Sequence, residues 1–205
     1  MPKGGLKYGK RIAAPDYAQI AEDAKKSVMQ SLDIKKPEDL VSKRPDDLVV
    51  KAADVVRQAD AEIAVYIGER DQALAHLWFY EQRLGLARTS GLALMGYRHA
   101  LAKLMFGDKT HPLPDVPTNE QLVRAAEEAG IERVDDAEAQ LLKAAPIVYA
   151  ARKRRTLAVG YMQEAVFALS EPPYGWTPER IAEHAGVARE LVYQQRAAAR
   201  KRHGQ

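Results

Sequence analysis

Apolar residues recur along most of this chain at the three- and four-residue spacing that places side chains on one face of an α-helix. The longest run begins at Pro45, Asp46 and Asp47, residue types that favour a helix start, and continues to Leu77. Alternating β-branched residues, which would indicate strands, are scarce. The pattern therefore predicts an all-α fold.

Prolines, glycines and capping residues divide this pattern into separate helices. The predicted helices cover residues 16–32, 45–77, 84–90, 94–106, 118–129, 135–169, 178–185 and 188–202. The stretch "GDKTHPLPDVPTNE" has three prolines and is the best candidate for a linker. We therefore predict a basic flexible arm (1–14), an N-terminal helical domain (15–107), a linker (108–117) and a C-terminal helical domain (118–205).

The stretch "TPERIAEHAGVARELVYQQ" near the C-terminus has the layout of a helix-turn-helix. Thr177 and Pro178 are typical of a first helix start, and Gly186 tolerates the positive φ that the turn needs. Ala182 is small enough for the crossing point of two helices, and Val187 is apolar where the chain tucks beneath them.

The segment "IAEHAGVARELVYQQ" resembles the helix-turn-helix of bacterial DNA-binding regulators, whose common pattern is IA…GVS…TVYR. The resemblance covers about 25 residues at the level of a superfamily, and it implies DNA binding by the second helix, Ala188 to Arg202. Ala188 replaces the usual serine or threonine cap, at a cost of about 1 kcal/mol. Gln195 lies near a position that is often apolar.

Side chains on the second helix have the chemistry that base edges and phosphates require. Arginine pairs with guanine, glutamine pairs with adenine, and glutamate accepts a hydrogen bond from cytosine. The predicted base-reading residues are Arg189, Glu190, Gln194 and Arg196. The predicted phosphate contacts are Thr177, Tyr193, Arg200, Lys201 and Arg202, joined by a possible ridge of Arg152, Arg154 and Arg155 that is equally well explained as a solvated helix surface.

A shift of 95 residues aligns parts of the chain with each other without a gap. Leu86, Ala87 and Gly91 fall on Ile181, Ala182 and Gly186, so "LARTSGLALMGYRHAL" is laid out like the C-terminal motif. This match predicts two similar helical halves, each a long helix followed by a helix-turn-helix.

The upstream copy differs in its chemistry. Leu94 and Met95 occupy the positions of Arg189 and Glu190, while a basic side is kept by Arg88, Arg98, His99 and Lys103. Two interpretations stay open. In the first, the copy binds DNA through phosphates and apolar contacts. In the second, it is a packing surface, for example of a homodimer, and the apolar pair favours this second interpretation.

Charge and composition restrict the partners. The net charge is +3, and residues 108–146 carry nine acids against four bases, so the basic side chains lie toward both ends. Cysteine is absent, the five histidines are scattered, and no general acid–base pair or nucleophile is grouped. No membrane segment or signal peptide is recognisable. We expect a cytoplasmic protein, located at the nucleoid, that needs no metal or other cofactor, contacts no membrane and is not an enzyme.

The function predicted from these features is sequence-specific binding of double-stranded DNA by a homodimer, as in a transcription regulator. The same features also suit a nucleoid-architectural protein or an accessory protein of plasmid partition or recombination. A helical adaptor that binds protein and never touches DNA is the alternative from another class.

Overall fold

The computed structural model describes residues 6–35, 39, 43–113 and 118–204 of the chain. These residues form eight α-helices and no strand, which confirms the all-α prediction. The helices are α1 (Tyr17–Ser31), α2 (Pro45–Phe79), α3 (Leu86–Thr89), α4 (Leu94–Phe106), α5 (Asn119–Glu128), α6 (Ala137–Ser170), α7 (Pro178–Ala185) and α8 (Arg189–Arg202).

Local side-chain chemistry explains where several helices begin and end. The Thr118 hydroxyl accepts a hydrogen bond from the Gln121 backbone N–H at the start of α5, and the Thr177 hydroxyl does the same for Arg180 at the start of α7. These bonds satisfy amide groups that have no partner within the helix. The helix starts predicted from Thr118 and Thr177 are therefore confirmed.

The described residues form two compact units whose chain segments alternate. Unit 1 consists of described residues within Met1–Ile20 and Ile63–Tyr149, and unit 2 of those within Ala21–Glu62 and Ala150–Gln205. Each unit thus takes one part of α2 and one part of α6. The boundaries of these units differ from those of the predicted domains, 15–107 and 118–205, because α2 and α6 each contribute to both units.

Each unit has its own apolar core. In unit 1, Leu74, Leu77, Leu101 and Leu141 are completely buried, and the core draws on α2, α4, α5 and α6. In unit 2, the core draws on α1, α2, α6, α7 and α8, with Val49, Met162, Leu169, Ile181 and Val192 among its buried side chains. Burial of several such side chains, each stabilising by about 1.5–3 kcal/mol, is what fixes α7 and α8 in unit 2.

The segment that precedes α1 is anchored over its described part. Backbone N–H groups of Gly9 and Ile12 donate to the carbonyls of Gln82 (3.0 Å) and Leu84 (3.2 Å). Ile12 is also buried in the core of unit 1. The free basic arm predicted for 1–14 is therefore, from residue 6 onward, a segment held along the loop after α2, while residues 1–5 lie outside the described residues. Of the predicted linker, 108–113 is described and 114–117 is not.

Candidate nucleic-acid interface

The two C-terminal helices are joined by a three-residue turn built on one glycine. Gly186 ends α7 with φ 63° and ψ 42°, in the left-handed region where a side chain is strained. The backbone N–H of Val187 donates to the carbonyl of Ala182 at 3.0 Å, which closes the end of α7. The predicted helix, glycine turn and second helix are thus all present between Pro178 and Arg202.

The inner side of this motif is locked into unit 2. Ile181 and Val192 have no exposed surface, and Ala185 and Ala199 are buried beside them. Gln195 is also buried, and its Oε1 accepts a hydrogen bond from Nε2 of Gln163 on α6 at 2.7 Å. A polar residue is tolerated in this normally apolar position because α6 supplies its partner.

Arg57 on α2 holds the turn from the other side. Its Nη1 donates to the backbone carbonyl of Gly186 at 3.1 Å, and its Nη2 is paired with Asp54 one helical turn earlier. A cation at the C-terminal end of a helix satisfies its last carbonyls and interacts favourably with the helix dipole. Arg57 was not among the predicted site residues, because its neighbours in the sequence indicate only an ordinary ion pair within α2.

The first two turns of α8 expose a polar face. Arg189, Glu190, Tyr193 and Gln194 are all exposed, and these four residues are called the outer face of α8 below. Ala188 precedes the helix at the capping position. Its methyl side chain makes no capping hydrogen bond, as the residue type predicts. Four of the side chains predicted to meet DNA therefore lie together on a helix whose opposite side is buried.

The start of α7 contributes a carboxylate to this face. Oε1 of Glu179 accepts a hydrogen bond from the Tyr193 hydroxyl at 3.3 Å and lies 3.5 Å from Nη1 of Arg189. The Arg189 guanidinium is also 6.0 Å from the centre of the Tyr193 ring. Glu179 was not among the predicted site residues, although the helix-turn-helix layout places the starts of both helices near each other.

The carboxyl of Glu179 is held in its ionised form. Its own backbone N–H, at the start of α7, is the main cause that lowers its pKa below the ordinary value of 4.5, and the hydroxyls of Thr177 and Tyr193 and the charge of Arg189 act in the same direction. Desolvation opposes them. Glu179 is exposed, so solvent screens these interactions.

Arg196 lies apart from the outer face. It is half-buried, and its Nη2 is 3.9 Å from Oε1 of Glu171 at the end of α6. This position follows from the helical period, since residue 196 falls beside the buried Val192 and Ala199. In the structure Arg196 thus contacts the residue that follows α6, and its predicted base-reading role stays a prediction.

The basic end of α8 is mostly paired with two carboxylates, one on α6 and one directly after it. Nη2 of Arg200 is 3.3 Å from Glu171, and Nη1 of Arg202 donates to Glu164 at 3.0 Å. Lys201 is exposed between them. Exposed ion pairs of this kind contribute little to stability, so each cation can exchange its carboxylate for a phosphate at small cost.

The predicted ridge on α6 is tied to α2 in the same unit. Arg154 forms an ion pair with Glu62, and Nε of Arg155 donates to Asp60 at 2.6 Å. Arg152 is exposed, like Arg155, while Arg154 is half-buried. The two paired arginines therefore link α6 to α2 in the structure, and their predicted contact with phosphates stays a prediction. Thr177 is exposed, and its hydroxyl is used as the cap of α7.

The upstream motif has the same turn at the 95-residue spacing. The N–H of Leu92 donates to the carbonyl of Ala87 at 3.0 Å, matching the bond from Val187 to Ala182, and Gly91 has φ 67°. Leu94 and Met95 are 65% and 60% exposed at the start of α4. Arg88, Arg98 and Lys103 are exposed and His99 is half-buried. Whether this surface meets DNA or a second copy stays a prediction.

The residues that the structure describes contain neither a cluster suited to a metal ion nor a helix suited to crossing a membrane. No group of three or more histidine, aspartate and glutamate side chains is arranged to hold a metal ion. No helix in this part of the chain is both long and apolar enough to cross a membrane.

The chain was compared with protein families, curated proteins and solved structures. Nothing in any of the three comparisons matches it.

Proposed function

We propose that this protein binds double-stranded DNA, with α8 in the major groove. One observation carries the proposal: the outer face of α8 presents Arg189, Glu190, Tyr193 and Gln194 to solvent, while Val192 and Ala199 fix the opposite side in a core. The major groove is wide enough for an α-helix, and a recognition helix reads bases with side chains of its first turns.

Each side chain of the outer face has a role that its chemistry suits. Arg189 would donate two hydrogen bonds to guanine, Gln194 would pair with adenine, and Glu190 would accept from cytosine. Glu179 and Tyr193 restrict the Arg189 side chain before DNA arrives, and a restrained side chain loses less entropy on binding. The Tyr193 hydroxyl, now bonded to Glu179, would donate its hydrogen bond to a phosphate instead.

Phosphate binding would come from the end of α8. The segment 177–204 carries six arginines and lysines against three glutamates, so a duplex meets an excess of positive charge. Lys201 is exposed, and Arg200 and Arg202 would exchange Glu171 and Glu164 for phosphates. These contacts add affinity without sequence information.

We propose transcription regulation, at the nucleoid of the cytoplasm, as the biological role, and a homodimer as the form that binds. Dimers of helix-turn-helix proteins read two half-sites about one helical turn of DNA apart. A nucleoid-architectural protein would instead bind most sequences with similar affinity, whereas a sequence-specific regulator prefers its site by typically 10³-fold or more. An accessory protein of plasmid partition or recombination is the other alternative.

The proposal is tested by fluorescence anisotropy of a labelled random duplex titrated with the full chain at several salt concentrations. We expect a complex whose affinity falls as salt rises, because phosphate binding releases counterions. Removing Arg200, Lys201 and Arg202 together should make that salt dependence shallower. Arg124→Ala, an exposed arginine of α5 outside every predicted site, is the matched control and should bind like the unchanged chain.

A helical adaptor is the second candidate, and the exposed pair Leu94 and Met95 favours it. An adaptor would form no salt-sensitive complex with any duplex. The same titration therefore separates the two functions, and absence of a complex at low salt would contradict DNA binding.

A further inference from the structure

Unit 1 contains a cleft that the proposed function does not use. Its volume is about 850 Å³, and it lies between residues 11–18 and the turn that connects α3 to α4. Arg11, Arg88, Tyr17 and Tyr149 are among the residues that line it. Sites of this size accept a ligand as large as a nucleotide.

One part of the cleft wall is aromatic and held in place. The rings of Tyr17 and Tyr149 are 4.5 Å apart between centroids, and the Tyr17 hydroxyl donates to the Thr89 carbonyl at 2.6 Å. A Cβ added at Gly91 would lie 2.8 Å from the Tyr17 ring and 3.0 Å from the Tyr149 ring. The two rings therefore pack directly on the backbone of the α3–α4 turn. No flexible side chain separates them from that backbone, so the turn fixes their position.

The cleft also has two available cations. Arg11 and Arg88 are both exposed, and within the described residues neither guanidinium has an ion pair or hydrogen bond. The aliphatic stem of Arg11 packs on Gly85, with its Cγ 3.1 Å from the position of an added Cβ. This contact restricts the stem while the charged end stays available.

Asp16, the carboxylate among the described residues that line the cleft, already has partners. Oδ1 of Asp16 accepts hydrogen bonds from the backbone N–H groups of Ala18 (3.1 Å) and Gln19 (3.0 Å) at the start of α1. Its charge is therefore directed to a helix terminus, as in an ordinary capping interaction. Two arginines and one capped aspartate leave the cleft positive.

The start of α4 adds to this positive character. Leu92 and Ala93 line the cleft, and no side chain caps the first amide groups of the helix that follows them. Such amides and the helix dipole favour an anion. They contribute to a site whose charge and shape come mainly from the arginines and the tyrosine rings.

We propose that this cleft binds the phosphate group of a nucleotide. Arginine binds phosphate through paired hydrogen bonds, and tyrosine rings offer a surface for a base. The phosphate can come from a soluble nucleotide or from the backbone of a nucleic acid. The site belongs to unit 1 and uses no residue of α8. The proposed nucleotide binding can therefore be tested independently of the proposed function.

The direct test is an NMR titration of the full ¹⁵N-labelled chain with AMP, with adenosine as the ligand that lacks phosphate. We expect AMP to shift the amide signals of Gly85, Gly91 and Ala93 to saturation, and adenosine to bind more weakly by about tenfold or more.

Arg11→Ala and Arg88→Ala should each weaken the binding of AMP about tenfold. Arg88→Lys should weaken it less, because the charge is kept. Both side chains are exposed, so unchanged signals of the buried core will show that the variants fold. Arg124→Ala is the control.

A duplex titration of the Arg11→Ala, Arg88→Ala double variant separates the two sources of phosphate. If the nucleic-acid backbone is the ligand, duplex affinity falls and the salt slope decreases by about two. If a soluble nucleotide is the ligand, duplex binding is unchanged while AMP binding is lost. The proposal is overturned if AMP binds the double variant as it binds the unchanged chain, or if AMP gives no saturable shift and the duplex titration is also unchanged.

Discussion

Gln195 of α8 and Gln163 of α6 are joined by a hydrogen bond of 2.7 Å beneath the outer face of α8. Gln195 is 8% exposed, so this bond replaces the apolar contact expected on the inner side of a recognition helix. A buried amide is accommodated only while its partner is present. The pair therefore adds to the apolar contacts that hold α8.

Replacing Gln195 with alanine should lower the free energy of unfolding by about 1–3 kcal/mol, because Gln163 loses its partner and a small cavity forms. Replacing both glutamines with leucine should restore most of this loss, since two apolar side chains need no partner. Urea unfolding of the three proteins measures the effect. Gln194→Ala, the exposed neighbour, should change stability by less than about 0.5 kcal/mol. Equal losses for Gln195→Ala and the double variant would show that the bond does not hold α8.

The turn glycine has an internal control in the same unit. Gly186→Ala should destabilise the chain by about 1–2 kcal/mol, because φ of 63° brings the new Cβ close to the backbone. Gly160→Ala should stabilise it by about 0.5–1 kcal/mol, because Gly160 lies within α6 and a Cβ there meets no atom within 4 Å. Thermal unfolding measures both. A neutral or stabilising Gly186→Ala would contradict the left-handed turn.

Glu179 should make part of the stability pH-dependent. Its pKa in the folded chain is lowered, chiefly by its own backbone N–H, so its ionised form contributes stability that is present above the ordinary pKa of 4.5. That contribution is lost as pH falls through the lower, folded-state pKa. Carboxyl ¹³C NMR measures this titration, and Tyr193→Phe should move the Glu179 pKa toward 4.5 because one hydrogen-bond donor is removed. A Glu179 pKa at or above 4.5 in the unchanged chain would exclude the arrangement.

Tyr17 should make the stability of the chain fall as pH rises at the alkaline end, opposite in sign to the effect of Glu179. Burial raises its pKa from 10 to about 12, against a lowering effect of Arg70. Between pH 10 and 12 the unfolded chain releases this proton while the folded chain keeps it, so stability falls as pH rises. Tyr17→Phe should make that fall less steep, and it should cost about 0.5–1.5 kcal/mol at neutral pH through loss of the bond to Thr89. Denaturant unfolding at several pH values, with ultraviolet absorbance of tyrosinate, measures both effects.

The parts of the structure that short-range chemistry determines were predictable from the sequence. Thr177, Pro178 and Gly186 set the ends of α7 through capping and backbone strain, and these act over only a few residues. The predicted range 94–106 coincides with α4, which ends at a left-handed glycine. The exposure of Arg189 and Gln194 followed from helical periodicity once those helices were placed.

The contacts between distant segments were not predictable in this way. Helices as long as α2 and α6 carry apolar residues along their whole length, but the pattern does not say which partner each part of the helix packs against. Their division between two compact units was therefore not predictable from the sequence. The bonds from Arg57 to the turn and from Gln163 to Gln195 join positions 129 and 32 residues apart, and no local signal marks them.

The central claim is that the outer face of α8 reads base pairs. Selection of bound duplexes from a random pool would yield a preferred site, on which the affinities of the unchanged chain, Arg189→Ala and Arg124→Ala are compared with those on a scrambled duplex. We predict that Arg189→Ala weakens binding to the preferred site by about 1–3 kcal/mol, relaxes preference at one base pair and leaves the scrambled duplex nearly unaffected. Equal weakening on both duplexes, or no enriched sequence at all, would contradict base reading by α8.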